Sequence, residues 1–398
     1  MKILFVVAEA ETEEAGPVSF QVPLAQAARN AGHEVIMAVS ETGLPAALEA
    51  GIAAVPLPES VPHDGRRDGR ALGRLAAGSV VALTGLADAW RPDLVIASAQ
   101  AHAGPLTARH AGVPWIRFAT DLEEPVSTDL ATTAELTPEL GRSSLRALPR
   151  PSFSVSVLPA ALRPATAPEA LALRHIPYAP QVPLRPWMYA AGHRPRVLVA
   201  MDGPAAPDGW FGPDRSAALL SRLAGVEADL VVATTDEETA ARLEPLLPPG
   251  GRAGRPPLDV LVPTCDLVVH PGSAGATLAS LAHGVPQLRV PGPSVAGEHG
   301  LGERIADHGA GRLLRVGGCT PDADAIRIAA SVREMLGDPS YRTAANRLRE
   351  EVHRMPAPDA LIGRLERSAA SHRAPRRAPA DQSDKHTARN LPHRPPEF

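Results

Sequence analysis

Cysteine, lysine and long apolar runs are all scarce in this chain, and each shortage removes a class of protein. Two cysteines, Cys265 and Cys319, among 398 residues do not make a disulfide framework. Cys265 stands at the head of an apolar run, where a buried structural thiol is expected. The opening MKILFVVAEAE meets acidic residues at once. It is too short to span a bilayer and lacks a signal-cleavage region, so the expectation is a cytoplasmic first strand with no membrane partner. An excess of positive charge is missing too. The 40 Lys and Arg stand against 44 Asp and Glu, for a net charge of −4 and a pI near 6.4. That balance gives no global basic field for a nucleic acid. The scarcity of lysine, beside abundant Ala, Pro and Arg, is a compositional habit and carries no function.

What is present is a repeated strand-and-helix grammar, in a chain long enough for two domains. Ile3–Ala8 is a continuous apolar run, as a strand buried on both faces should be. A loop with Glu9, Glu11, Glu13 and Glu14 follows, then a helix opened by Pro23 and ended by Gly32, then a strand over Glu34–Val39. This unit begins a doubly wound sheet. Residues 62–78, rich in Gly, Arg and Asp, read as a loop leading into a helix. Further strands are expected over Arg91–Ala97, Pro114–Ala119, Ser152–Leu158 and Leu173–Pro177, with a helix from Pro105 to Gly112. Pro180, Pro183, Pro186 and Pro195 mark a stiff linker.

The second half restarts with strands at Arg196–Ala200 and Asp229–Ala233 and helices at Asp214–Leu223 and Glu237–Leu247. Late helices are expected over Pro321–Leu336, Tyr341–His353 and Asp359–Ser368. The expected division is a first domain over 1–190, a second over 191–355, a helix at 356–370 and a tail over 371–398. The tail is too poor in apolar residues to offset its ordering entropy and is expected to be disordered.

The stretch that carries chemistry is Pro263 to Arg312. A strand, Asp266–His270, runs into the turn Pro271–Gly272–Ser273–Ala274–Gly275, and a small-residue helix from Ala276 to about His283 follows. Gly284 and Pro286 stop it, and Gln287–Val290 is the next strand. Strand, glycine turn and helix N-terminus is how a protein presents free backbone N–H groups to a phosphate. An ordinary tight turn in an α/β sheet is the other reading of those residues alone. Asp322–Ala323–Asp324 follows Thr320–Pro321, so helix capping explains it better than metal binding.

The chain resembles the family-1 glycosyltransferases of actinobacterial natural-product pathways. The resemblance rests on PLDVLVPTCDLVVHPGSAGATLASLAHGVPQL (Pro257–Leu288) and ERIADHGAG (Glu303–Gly311). In the first half it rests on VPLAQAARNAGHEV (Val22–Val35), RPDLVIASAQAHAGPLTARHAGVP (Arg91–Pro114) and ALRHIPYAP (Ala172–Pro180). It implies the two-domain GT-B fold, an α/β architecture of two Rossmann-like domains facing a cleft. It also implies inverting transfer of a sugar from a nucleotide diphosphate donor on the second domain to a small-molecule aglycone on the first. No cofactor and no metal are implied beyond that co-substrate.

Residue by residue, the resemblance weakens where the chemistry should be. The family's general-base histidine aligns with Pro17, after Gly16, and its supporting acid with Ser98. The phosphate turn, H-H-G-G-A-G-T-T-L in the family, reads His270–Pro271–Gly272–Ser273–Ala274–Gly275–Ala276–Thr277–Leu278 here. The family's donor-sugar Asp-Gln pair falls on Gly297–Glu298. Two readings fit. In one, the base is relocated to Glu13 or Glu14 in the first loop, or to His102. The donor is then held by His270, Gly272, Ser273, Gly275, Thr277 and Glu298. In the other, the chain is a catalytically silent homologue that binds ligand or serves a partner glycosyltransferase or a second copy of itself. Taken singly, Glu13 and Glu14 also read as solvated loop acids, and His102 as a histidine at a helix start.

Overall fold

The computed structural model describes residues 1–7, 16–58, 69–120, 132–178, 182–201, 213–234, 236–291, 299–316 and 320–373. Two parallel sheets organise them. The first contains β1 (Lys2–Val7), β2 (Glu34–Val39), β3 (Ala53–Pro56), β4 (Leu94–Ser98), β5 (Trp115–Ala119), β6 (Phe153–Ser156) and β7 (Leu171–Ala172), in the order β3-β2-β1-β4-β5-β6-β7. The second contains β8 (Arg196–Ala200), β9 (Asp229–Ala233), β10 (Arg252–Gly254), β11 (Leu267–His270), β12 (Gln287–Arg289) and β13 (Gly311–Leu313), in the order β10-β9-β8-β11-β12-β13.

Parallel strands covered on both faces by helices must be apolar on both sides. Ile3, Leu4, Phe5 and Val6 of β1 are accordingly all fully buried, as are Leu198, Val199 and Ala200 of β8. The two sheets share a winding rule. From β1 the chain moves one way to β2 and β3, then returns to lay β4 against the other side of β1. From β8 it moves to β9 and β10, then returns to lay β11 against β8. Each reversal opens a crevice beyond the C-terminal strand ends, where open α/β sheets bind ligands. These are two Rossmann-like domains in the arrangement of a GT-B fold.

The halves are tied together. Leu278, Leu281, Leu301 and Ile305 from helices of the second half join one buried cluster with Phe20, Val22 and Leu162 of the first. Arg304 Nε donates to the Leu162 carbonyl at 2.8 Å. The last helix, Pro358–Arg373, returns to the first half, where the Arg364 guanidinium lies 5.0 Å from the Phe153 ring centroid. Arg174 N donates to the Pro356 carbonyl at 2.7 Å.

Several elements differ from the sequence expectations. The first helix spans Gly16–Asn30, so Pro23 sits inside it and does not open it. Burial of Val18, Val22 and Ala25 in the core outweighs the lost hydrogen bond at Pro23. The helix expected after a loop over 62–78 already runs from Gly69 to Trp90. It is long and apolar enough to cross a membrane, yet Leu72, Ala76, Leu83 and Ala87 form one buried face at helical spacing, as in a layer helix of an α/β domain. The strand expected at Leu173–Pro177 is Leu171–Ala172. The turn helix begins at Ala274, two residues early, because Ser273 caps it. The tail expected to be disordered lies, from residue 374 on, outside the described residues.

Candidate active site at the two crevices

At the second crevice β11 ends in His270, and Pro271, Gly272 and Ser273 turn the chain into the helix Ala274–His283. Gly272 has φ +124°, a conformation closed to other residues. The Ser273 hydroxyl accepts from Ala276 N at 3.2 Å, and the Thr277 hydroxyl donates back to the Ser273 carbonyl at 2.7 Å. These bonds fix the turn and leave the first-turn amides of Ala274 and Gly275 without intrahelical acceptors. The positive end of a ten-residue helix points the same way. Main-chain amides at a helix start are groups to which anions bind.

Beneath the turn lies a buried relay. His270 Nε2 meets Gln287 Oε1 at 3.1 Å, and the Gln287 amide donates to the Thr277 carbonyl at 3.3 Å. Because the Gln287 nitrogen is the donor to Thr277, its oxygen must accept from His270, which places the imidazole proton on Nε2. Burial, with the nearby Arg289 charge, lowers the His270 pKa to about 3, so the ring is neutral. A small cleft opens beside it, lined among others by His270, Thr277, Arg289, Gly302 and Arg312.

The opposite end of β11 is purely structural. Cys265 Sγ donates to the Leu261 carbonyl at 3.4 Å, and burial pushes its pKa up to about 12. Asp266 accepts from Arg196 N at 2.8 Å and from the Arg342 guanidinium at 2.9 Å, which pins β11 to β8 and to the helix Pro339–Arg354. Asp322, the first residue of the acidic pair, takes a forked ion pair from Arg222 at 2.7 Å, while Thr320 caps the helix. Among the described residues no group of three or more His, Cys, Asp or Glu is placed to hold a metal ion.

At the first crevice β4 ends in Ser98, whose buried hydroxyl has no hydrogen-bond partner. His102 follows at the start of the helix Ala103–Ala111 and is 5% exposed. Its Nδ1 donates to the Gln100 carbonyl at 2.7 Å, which puts the ring proton on Nδ1 and the lone pair on Nε2. Gly104 lets this helix lie close over the sheet, since a Cβ there would come 2.5 Å from the Ala97 Cβ of β4. His102 therefore sits where β1 and β4 part. Pro17 is the second residue of the first helix, a position where its missing N–H costs no helical bond. Glu13, Glu14 and Glu298 lie outside the described residues.

The sequence singled out His270, Gly272, Ser273, Gly275 and Thr277, and the fold brings these together on one turn. It did not single out Gln287 or Arg289. A polar residue on either side of Leu288, in a short strand that otherwise should be apolar, was the available signal.

Two Rossmann-like sheets facing a cleft, one ending in a glycine turn and a helix start, form the frame of a nucleotide-sugar-dependent transferase. Comparison with known proteins gives the family. Residues 217–367 match the family described as erythromycin biosynthesis protein CIII-like, C-terminal domain, and residues 73–202 match its N-terminal counterpart. An L-demethylnoviosyl transferase of Streptomyces niveus is 33% identical over 356 residues, covering 85% of this chain and 91% of that one. The structure of the Streptomyces sp. SF2575 glycosyltransferase SsfS6 with thymidine diphosphate superposes with a TM-score of 0.76 at 29% identity, covering 92% of this chain and 99% of that one. The glycosyltransferase SnogD from Streptomyces nogalater gives 0.76 at 28% identity, over 93% and 99%. The chain belongs to the GT-B glycosyltransferases of actinobacterial antibiotic biosynthesis. It moves a sugar from a nucleotide diphosphate donor to a small-molecule acceptor.

Proposed function

We propose that the donor is a thymidine diphosphate sugar whose diphosphate rests on the turn Gly272–Gly275, and that His102 is the general base. The observation that carries the donor assignment is Gly272 at φ +124°, which aims the Ser273–Gly275 amides past the end of β11 at the reversal of the sheet. The binding of thymidine diphosphate by SsfS6 supports the choice of nucleotide. In this reading Thr277 and His270 hold the turn's shape, and Glu298 approaches the donor sugar.

The reaction needs three things from the chain. The bond between the anomeric carbon and the diphosphate oxygen breaks, and its electron pair goes to the diphosphate, which the amides and helix end stabilise. The acceptor oxygen forms the new bond to that carbon from the opposite face, inverting it. The acceptor proton passes to a base, and His102 Nε2 carries the lone pair for it. This replaces the histidine that Pro17 cannot supply. The setting is a cytoplasmic one. Calorimetric titration of the intact protein with thymidine diphosphate tests the donor site. Micromolar binding is expected, and no binding of any nucleoside diphosphate would overturn it.

A further inference from the structure

Arg289 is the last residue of β12, in register with His270 on the neighbouring strand, so both side chains leave the same face at the ligand edge. Two glycines make its slot. A Cβ on Gly272 would lie 2.7 Å from the Arg289 Cζ, and a Cβ on Gly302 would lie 2.9 Å from its Cδ. The guanidinium is thus lodged against the turn, and Arg289 as a whole is 7% exposed. The turn's own side chains offer an anion little. Pro271 has no N–H, Ser273 caps Ala276, and Thr277 bonds the Ser273 carbonyl. Among the residues lining the cleft the cations are Arg289 and Arg312, and of the two it is Arg289 that lies against Gly272 of the turn.

We propose that Arg289 is the side-chain ligand of the donor's diphosphate, an inference that rests on the donor-site reading above. A planar guanidinium can fork onto two phosphate oxygens and keeps its charge at every working pH. It would meet both the bound diphosphate and the extra negative charge that forms on it as the sugar leaves. Arg289 thereby supplies from β12 the cationic contact that the turn lacks, so its removal weakens donor binding without touching the nucleoside part.

The test is calorimetry of wild type and Arg289→Met with thymidine diphosphate and, separately, with thymidine. The variant is expected to lose about 10- to 100-fold in affinity for the diphosphate while thymidine binding stays within about twofold. An unchanged diphosphate affinity overturns the assignment, and so does an equal loss for thymidine, which marks a role in shape alone. Arg289→Gln, which keeps the polarity and removes the charge, answers the same question if the methionine variant does not fold. A wild type that binds no nucleoside diphosphate fails the donor site itself. A wild type that binds, with variants that bind equally well, fails only Arg289.

Discussion

At the edge of the second sheet the groups we assign to the donor are main-chain amides at the start of a helix, with the Arg289 guanidinium beside Gly272. At the edge of the first sheet the group we assign to the acceptor proton is a side chain, His102, held at the end of β4. The topologies are the same, yet the two edges tolerate substitution differently. Amides belong to the backbone, so Pro271 and Ala276 can stand where the family has a histidine and a threonine while the cradle keeps its shape. A proton acceptor can only be a side chain. When Pro17 takes the family's base position, nothing in the backbone can stand in, which is why we propose a base on another residue, His102.

That contrast breaks most sharply at His102. His102→Gln is expected to lower kcat by about 10²–10⁴-fold, the usual contribution of a positioned base. Affinity for thymidine diphosphate should stay at the wild-type value, because the proposed donor turn is on the other sheet. Glu14→Gln is the matched control. If the glutamate variant takes the loss and the histidine variant does not, the base is Glu14 and the assignment of His102 fails.

The second edge breaks through its backbone. Gly272→Ala forces a Cβ onto a residue at φ +124° and against the Arg289 guanidinium. Strain of that kind costs on the order of 1–3 kcal/mol, and displacing the turn removes the aligned amides as well. Affinity for thymidine diphosphate is expected to fall about 100-fold or more, measured by calorimetry. A variant that binds as wild type does would show that the turn is not where the diphosphate rests.

Most of the strand framework was legible in the sequence, for a physical reason. Strands buried on both faces must be apolar runs, and β1, β8 and β9 read that way after a charged first residue. The short flanking strands β3, β10 and β13 were not legible, because three or four residues carry no period. The turn was legible because its chemistry lies in consecutive residues, with Gly272 at its centre. Arg289 was not, since its meaning comes from register: only when β12 pairs with β11 does it fall beside His270 and over Gly272. Likewise His102 gains its meaning from the reversal between β1 and β4, which sets side by side two strands far apart in sequence.

Two buried histidines extend the comparison to pH. His270 under the donor turn has a pKa lowered to about 3, and His175, edge-on to Phe20, has one lowered to about 4, burial being the first cause of each. Both are neutral when folded and take up a proton near pH 6.5 when unfolded. The stability they allow is therefore complete above pH 6.5 and is lost as pH falls toward their folded values. Between pH 7 and 4.5 each should cost on the order of 2–3 kcal/mol in urea unfolding. His270→Gln should remove its own share and leave that of His175. An identical pH slope in wild type and variant would mean that His270 is not held neutral by its surroundings.

The smallest effect is expected at the far end of the strand that carries the donor turn. Cys265 is 2% exposed and its thiol is held protonated with a pKa near 12, so it has no thiolate to offer. It should resist alkylation by iodoacetamide in the folded protein at pH 8 and react only after unfolding. Cys265→Ala should cost about 1 kcal/mol in stability, from the lost sulfur contacts, and leave affinity for thymidine diphosphate unchanged. β11 would then carry ligand chemistry only at its C-terminal end. A drop in donor affinity in Cys265→Ala would show instead that the turn depends on packing along the whole strand, and the amide cradle would be less independent of side chains than its geometry indicates.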